Sequence, residues 1–197
     1  MKSAAIGFRA HSGWTSLVVV ALEDGAPIIL SRERPHLVET FSYTFRQPYH
    51  TAQRMEGAAA SEFVLKVRNE ARKLAFEAIR GAEEQAAELG FSVKKCALLE
   101  ASGRPLPEFQ KILASHALIH TADGALFREA LLHAVARREL AITRIRDREL
   151  IRDSSKILHT KPEVLLRKLR LLGKTVGSPW SQDEKFATLA AWVALKR

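Results

Sequence analysis

Cysteine is almost missing from this sequence. Cys96 stands alone among 197 residues, so no internal disulfide can form, which suits a reducing compartment and a cytoplasmic protein. Long apolar runs are missing too. The longest, around Val18–Val20, fall far short of the roughly 20 residues a membrane span needs. Met1-Lys2 leads into a short apolar stretch that stops at Arg9, which does not read as a secretory signal. Phosphate-cradling glycine patterns are absent: there is no P-loop and no G-x-G-x-x-G. Nor is there a nucleophile elbow or a Cys/His spacing suited to zinc. Internal repeats and low-complexity tracts are lacking as well.

What is present is positive charge. The chain carries a formal +9, and its distribution is uneven. Arg144 to Lys174 holds ten basic residues against four acidic ones, a net +6. A concentrated positive field attracts polyanions and speeds their association. Arg144, Arg146, Arg148, Arg152, Lys156 and Lys161 are the candidate nucleic-acid contacts. The same charge also suits a solvated surface or an acidic protein partner. Of three tryptophans, Trp192 lies on an apolar helix face and reads as core. Trp180, in a Gly-Ser-Pro-Trp loop, is the candidate for stacking on a base.

Apolar runs at Ala4–Phe8, Leu17–Leu22 and Pro27–Leu30 read as three consecutive antiparallel strands. Asp24-Gly25 supplies the tight turn between the last two. The runs are continuous rather than alternating, which places the first strand inside a sheet covered on both faces. Pro35 argues against a central strand beyond it, and Gln47–Ala60 reads as a connector. Three- and four-residue apolar spacing predicts a helix over Ser61–Leu89, with Ser61 as cap and Gly90 as stop. Val93–Leu99 reads as a buried strand ending at Glu100 and a Ser102-Gly103 break, and Pro105-Leu-Pro107 opens a short helix to about Ser115. Ala117–Thr121 reads as a further strand, and Asp123-Gly124 starts a helix to Glu139. Ile142, Ile145 and Leu150 suggest a strand with Arg144, Arg146 and Arg148 on its other face. Thr160-Lys-Pro-Glu163 and Ser181-Gln-Asp-Glu184 are capping boxes opening two last helices, the first ending at Gly173. The whole of 1–197 is expected to form one α/β domain, a mixed sheet with helices on both faces.

That order, with several stretches of sequence, resembles the RNase H-like fold and within it the RuvC Holliday-junction resolvases. Ile6-Gly7-Phe8-Arg9-Ala10-His11-Ser12-Gly13-Trp14 resembles the family's first strand and turn, usually Ile-Gly-Ile-Asp-Pro-Gly and then Thr-Gly-Trp. Leu98-Leu99-Glu100 resembles the strand that ends in a catalytic glutamate. Leu126–Arg138 with Ile142–Leu150 resembles the family's middle helix and next strand. Thr160–Gly173 is similar to the helix after its DNA-contacting loop. Asp183–Leu195 is similar to its last helix, which carries catalytic aspartates at its start.

The resemblance implies a site of four acids holding two divalent cations, since Mg²⁺ binds through carboxylates and waters. Here the bridging aspartate's position is Arg9, and the second aspartate of the last helix is Phe186. Only Glu100 and Asp183 remain as candidate catalytic acids or metal ligands. Arg9 is expected beside both, a cation where the family holds metal, because a guanidinium neither loses its proton nor coordinates a cation. His11, just past the first strand, is either a proton carrier or plain polar surface. The expected function is binding of nucleic acid, DNA before RNA and structured or branched, with metal-dependent cleavage lost or weak. No cofactor is expected, no membrane, and a homodimer is compatible with the family. The alternatives are an active Mg²⁺- or Mn²⁺-dependent junction endonuclease and a protein–protein scaffold that keeps the fold.

Overall fold

The computed structural model describes residues 1–101 and 105–197; the expected Ser102-Gly103 break lies outside the described residues. Strands β1 (Lys2–His11), β2 (Trp14–Glu23) and β3 (Ala26–Glu33) run antiparallel. β4 (Phe91–Glu100) and β5 (Ala141–Arg146) continue the sheet in parallel, giving the order β3-β2-β1-β4-β5 with β1 at its centre. Asp24 and Gly25 both take positive φ, 50° and 78°, the geometry of a type I′ turn whose twist matches the strands it joins. A bridge from Trp14 to His36 prolongs the sheet edge just past Pro35.

Alternation along the strands sorts the core into two layers. Ile6, Phe8, Leu17, Val19 and Leu98 face α3 (Gly57–Glu88) and α5 (His116–Arg137). Ala5, Val18, Val20, Ala97 and Leu99 face α8 (Gln182–Lys196), with α6 (Leu150–Ile157) and α7 (Pro162–Val176) behind it. The helices that touch the sheet do so through small residues, such as Ala71, Ala75 and Ala82 on α3 and Ala187, Ala190 and Ala191 on α8. Close approach is tightest at Gly7, where a Cβ would lie 1.9 Å from the Ala187 carbonyl oxygen. Short helices α1 (Tyr43–Arg46), α2 (Pro48–Ala52) and α4 (Phe109–Leu113) fill the connections.

Several local expectations change. Residues 117–121 are the first turns of α5, not a strand: Ile119, Ala122, Leu126 and Ala130 are buried at three- and four-residue steps, which only a helix can bring to one face. Asp123 and Gly124 therefore lie mid-helix. α3 starts at Gly57, and Ser61 donates to the Ala58 carbonyl from inside it instead of capping it. The Thr160 box does not form. Pro162 forces Lys161 into an extended conformation and makes it the N-cap, while the Thr160 hydroxyl donates to the Leu158 carbonyl at 2.8 Å. α7 runs past Gly173 to Val176. The Ser181 box does form: the Asp183 N–H donates to Ser181 Oγ at 3.1 Å, and Glu184 Oε2 accepts the Ser181 N–H at 2.7 Å.

Candidate functional site

Gly7 places the site. Its missing side chain lets β1 lie between Ala187 and Ala191 of α8. Two strand residues advance about 6.7 Å and one helical turn about 5.4 Å. Arg9, two residues on and on the same face, is thereby brought level with Asp183, one turn before Ala187. Arg9 Nη1 donates to Asp183 Oδ1 at 2.8 Å. Its Nη2 donates to Asp147 Oδ2 at 2.9 Å. The guanidinium lies 5.1 Å from the centre of the Phe186 ring, so the residue three beyond Asp183 receives its face.

Two further side chains gather on Asp183. His11 Nε2 lies 3.0 Å from Asp183 Oδ1, and the imidazole stacks on Trp14 at 4.3 Å. Arg34 sits over the same indole at 4.4 Å and reaches Asp183 Oδ2 at 3.4 Å and Glu184 Oε1 at 3.6 Å. His11 is thus held between Trp14 and Asp183.

Glu100 does not join them. Counting alternately from Leu98 puts it on the α3/α5 face, opposite Arg9. There it accepts from Arg144 Nε at 2.6 Å. Burial pulls the Arg128 guanidinium of α5 below its ordinary range, and the charge of Glu100 opposes that shift. The second acid at Arg9 is Asp147, in the 3₁₀ turn Asp147–Glu149 that follows β5. In the sequence Asp147 merely dilutes a basic run. The signal that could have found it is its place just past the carboxyl end of a parallel strand, where α/β sheets open their crevices.

A cleft of about 540 Å³ opens here, lined by Arg9, Ala101, Asp147, Arg148, Ile151, Gln182 and Phe186. A second, of about 560 Å³, shares Gln182 and Phe186 and adds Arg170 and Lys185. The basic segment divides around them. Arg144 and Arg146 lie on β5, toward the Glu100 side. Arg148 is on the 3₁₀ turn, not on the strand, and lines the first cleft together with Arg9. Glu149 collects Arg146, Arg148 and Arg152 at 3.5–3.7 Å. Lys156 on α6 and Lys161 before α7 are exposed. Trp180 folds back on α7: its Nε1 donates to the Leu169 carbonyl at 2.8 Å, and its ring fills the space above Gly173. That leaves it anchored in the fold instead of free in a loop.

No protein-family model matches this sequence, and no curated protein matches it significantly. Solved structures do. The structure of T. thermophilus RuvC in complex with Holliday junction substrate is similar over 97% of this chain and 91% of its own, with a TM-score of 0.54 and 15% identity. The fold is RNase H-like, of the RuvC kind. Another Thermus thermophilus RuvC structure is similar at TM-score 0.52 and 13% identity, covering 96% of this chain and 92% of its own. The yeast mitochondrial Holliday junction resolvase Ydc2 is similar at TM-score 0.53 and 11% identity, over 99% of this chain and 80% of its own. Among the described residues no helix is long and apolar enough to cross a membrane.

On this RuvC-like scaffold the cleft poorly suits a divalent cation. Both aspartates already accept from one guanidinium, and a metal would have to displace a charge that repels it. Electrically the arrangement does something else: Arg9, with Arg34, offsets much of the charge of Asp147 and Asp183, and Arg148, Arg170 and Lys185 add positive charge along the two clefts.

Proposed function

We propose that this chain binds nucleic acid along the Arg148–Arg170–Lys185 cleft and does not support efficient metal-dependent cleavage there. The observation that carries the reading is the Arg9 guanidinium paired with Asp147 and Asp183, at the position the family resemblance assigns to the metal-bridging carboxylate. An anionic backbone then meets a surface whose acids are largely offset by Arg9 and Arg34, with the exposed cations Arg152, Lys156 and Lys161 at the helices beyond and Arg144 and Arg146 on the other face of β5. Similarity to a RuvC structure holding a Holliday junction favours branched DNA over RNA as the ligand, and a homodimer would offer such a junction two equivalent clefts.

Fluorescence anisotropy with a labelled four-way junction, a linear duplex and a single-stranded RNA tests this. Binding should weaken steeply with salt, and replacing Arg148, Arg170 and Lys185 by Ala should flatten the slope by about one unit per lost phosphate contact. Incubation with Mg²⁺ or Mn²⁺ should leave all three substrates uncut. Affinity absent at low salt would favour the scaffold reading. Cleavage abolished by Asp183→Asn would favour the endonuclease.

A further inference from the structure

Away from the cleft, on the α3/α5 side of the sheet, three imidazoles converge. His116 and His120 are four residues apart on α5 and so share one face of the helix. Their Nε2 atoms lie 3.0 Å apart. His50, from α2, closes the group, with its ring centre 4.4 Å from that of His120 and 5.4 Å from that of His116. One nitrogen from each of the three can be chosen so that all lie within 4.8 Å of one another.

The third imidazole is not placed by chance contact. His50 Nδ1 meets Asp123 Oδ2 at 2.5 Å, and Asp123 Oδ1 accepts the Tyr49 N–H at 2.7 Å. Asp123 is only 2% exposed, a carboxylate fixed within the fold whose side-chain contacts are His50 and the backbone beside it. A carboxylate on one ring nitrogen fixes the tautomer and leaves the other as a lone-pair donor. That is how metal-ligating histidines are oriented and made more basic. Two nitrogens on one tetrahedral zinc, each at 2.0–2.1 Å, are about 3.3 Å apart, close to the spacing of His116 and His120.

We propose that His50, His116 and His120 bind a borderline divalent transition metal of the Zn²⁺ class, with Asp123 positioning His50. Neutral imidazoles suit such ions and not Mg²⁺ or Ca²⁺, which take oxygen ligands. Three protein ligands leave the fourth position to water or an exogenous anion, the arrangement of an open rather than a closed zinc site. His116 and His120 are exposed, so the ion has a path in. Once bound, it ties the five-residue α2, too short to be stable alone, to the first turns of α5. The site is independent of the nucleic-acid reading.

The test uses tag-free, metal-stripped full-length protein, titrated with Zn²⁺ against a chromophoric chelator and separately with Co²⁺. The expected result is one ion per chain at micromolar affinity or tighter, with the intense visible absorption of four-coordinate Co²⁺. His120→Ala and His116→Ala should each weaken binding more than tenfold and abolish the Co²⁺ bands. Both side chains are exposed, so the variants should fold. Asp123→Asn should weaken Zn²⁺ binding about 10–100-fold. Zn²⁺ should raise the melting temperature of the wild type but not of His120→Ala. Asp183→Asn should leave the zinc affinity unchanged, which separates this site from the cleft. Millimolar affinity, or affinity unaltered in His120→Ala, would overturn the proposal.

Discussion

Arg9→Met removes the cation from the cleft and keeps most of the side chain's length. In the wild type the guanidinium makes two charge-assisted hydrogen bonds, to side chains 36% (Asp147) and 17% (Asp183) exposed. At that exposure each pair contributes about 0.5–1 kcal/mol, because water screens both partners. The Phe186 face adds about 0.5 kcal/mol, part of which Met recovers by packing on the ring. The expected loss is therefore about 1.5–2 kcal/mol, read by urea denaturation. The sharper readout is a change of sign. Alone, Asp147→Asn removes a partner of Arg9 and should destabilise. In the Arg9→Met background the same substitution removes one of two facing carboxylates, which about 6 Å apart repel by roughly 0.7–3 kcal/mol, and should stabilise. Met at position 9 also bares two carboxylates to solution, so millimolar Mg²⁺ or Mn²⁺ should stabilise this variant and not the wild type. A tenfold excess over Kd is worth about 1.4 kcal/mol. If Asp147→Asn had the same effect in both backgrounds, the two sites would be uncoupled and the charge-paired cleft would be wrong.

Gly7→Ala should cost about 3 kcal/mol, because its Cβ meets backbone at 1.9 Å and no rotamer can relieve the clash; a loss below about 1 kcal/mol in denaturant would mean that α8 can slide. Ser181→Ala should cost about 1 kcal/mol through the lost cap. Thr160→Ala should stay within about 0.5 kcal/mol, since Thr160 caps nothing, and equal losses in thermal melts would contradict the two different N-termini.

Legibility followed the range of the interaction. The three antiparallel strands, the Asp24-Gly25 turn and the Ser181 box rest on neighbours in sequence, and a linear reading reaches them. Arg9 beside Asp183 was accessible too, through the family resemblance to the strand and helix that carry them. Asp147 and Glu100 were not. Which of them meets Arg9 depends on strand parity: Glu100 follows Leu98 by two residues and so inherits the α3/α5 face. A one-residue difference in where a strand ends decides that question. The histidine cluster was hidden by a secondary-structure error. With 117–121 as a strand, His120 has no reason to share a face with His116 just before it; on α5 the two are neighbours one turn apart, and no regular Cys/His spacing announces His50 from another element. Trp180 and Gly173 were each read as local signals, a loop aromatic and a helix stop, whereas each exists to fit the other.

Positions 9 and 186 are best understood together. A guanidinium placed on β1 needs anionic partners and a surface that does not compete for its donors. Asp183 and Asp147 supply the first, and the Phe186 ring supplies the second. An acid at 186 would add a third carboxylate to one guanidinium, and a carboxylate at 9 would leave Phe186 facing a charge that its ring repels. Each residue is therefore comprehensible only in the presence of the other, whichever came first. The backbone frame rests on neither residue. Gly7 against Ala187 fixes the height of α8 on the sheet, the Ser181 box fixes its first turn, and neither contact involves the charge at position 9. The contacts that set α8 against β1 thus bring Asp183 within hydrogen-bond distance of the Arg9 guanidinium.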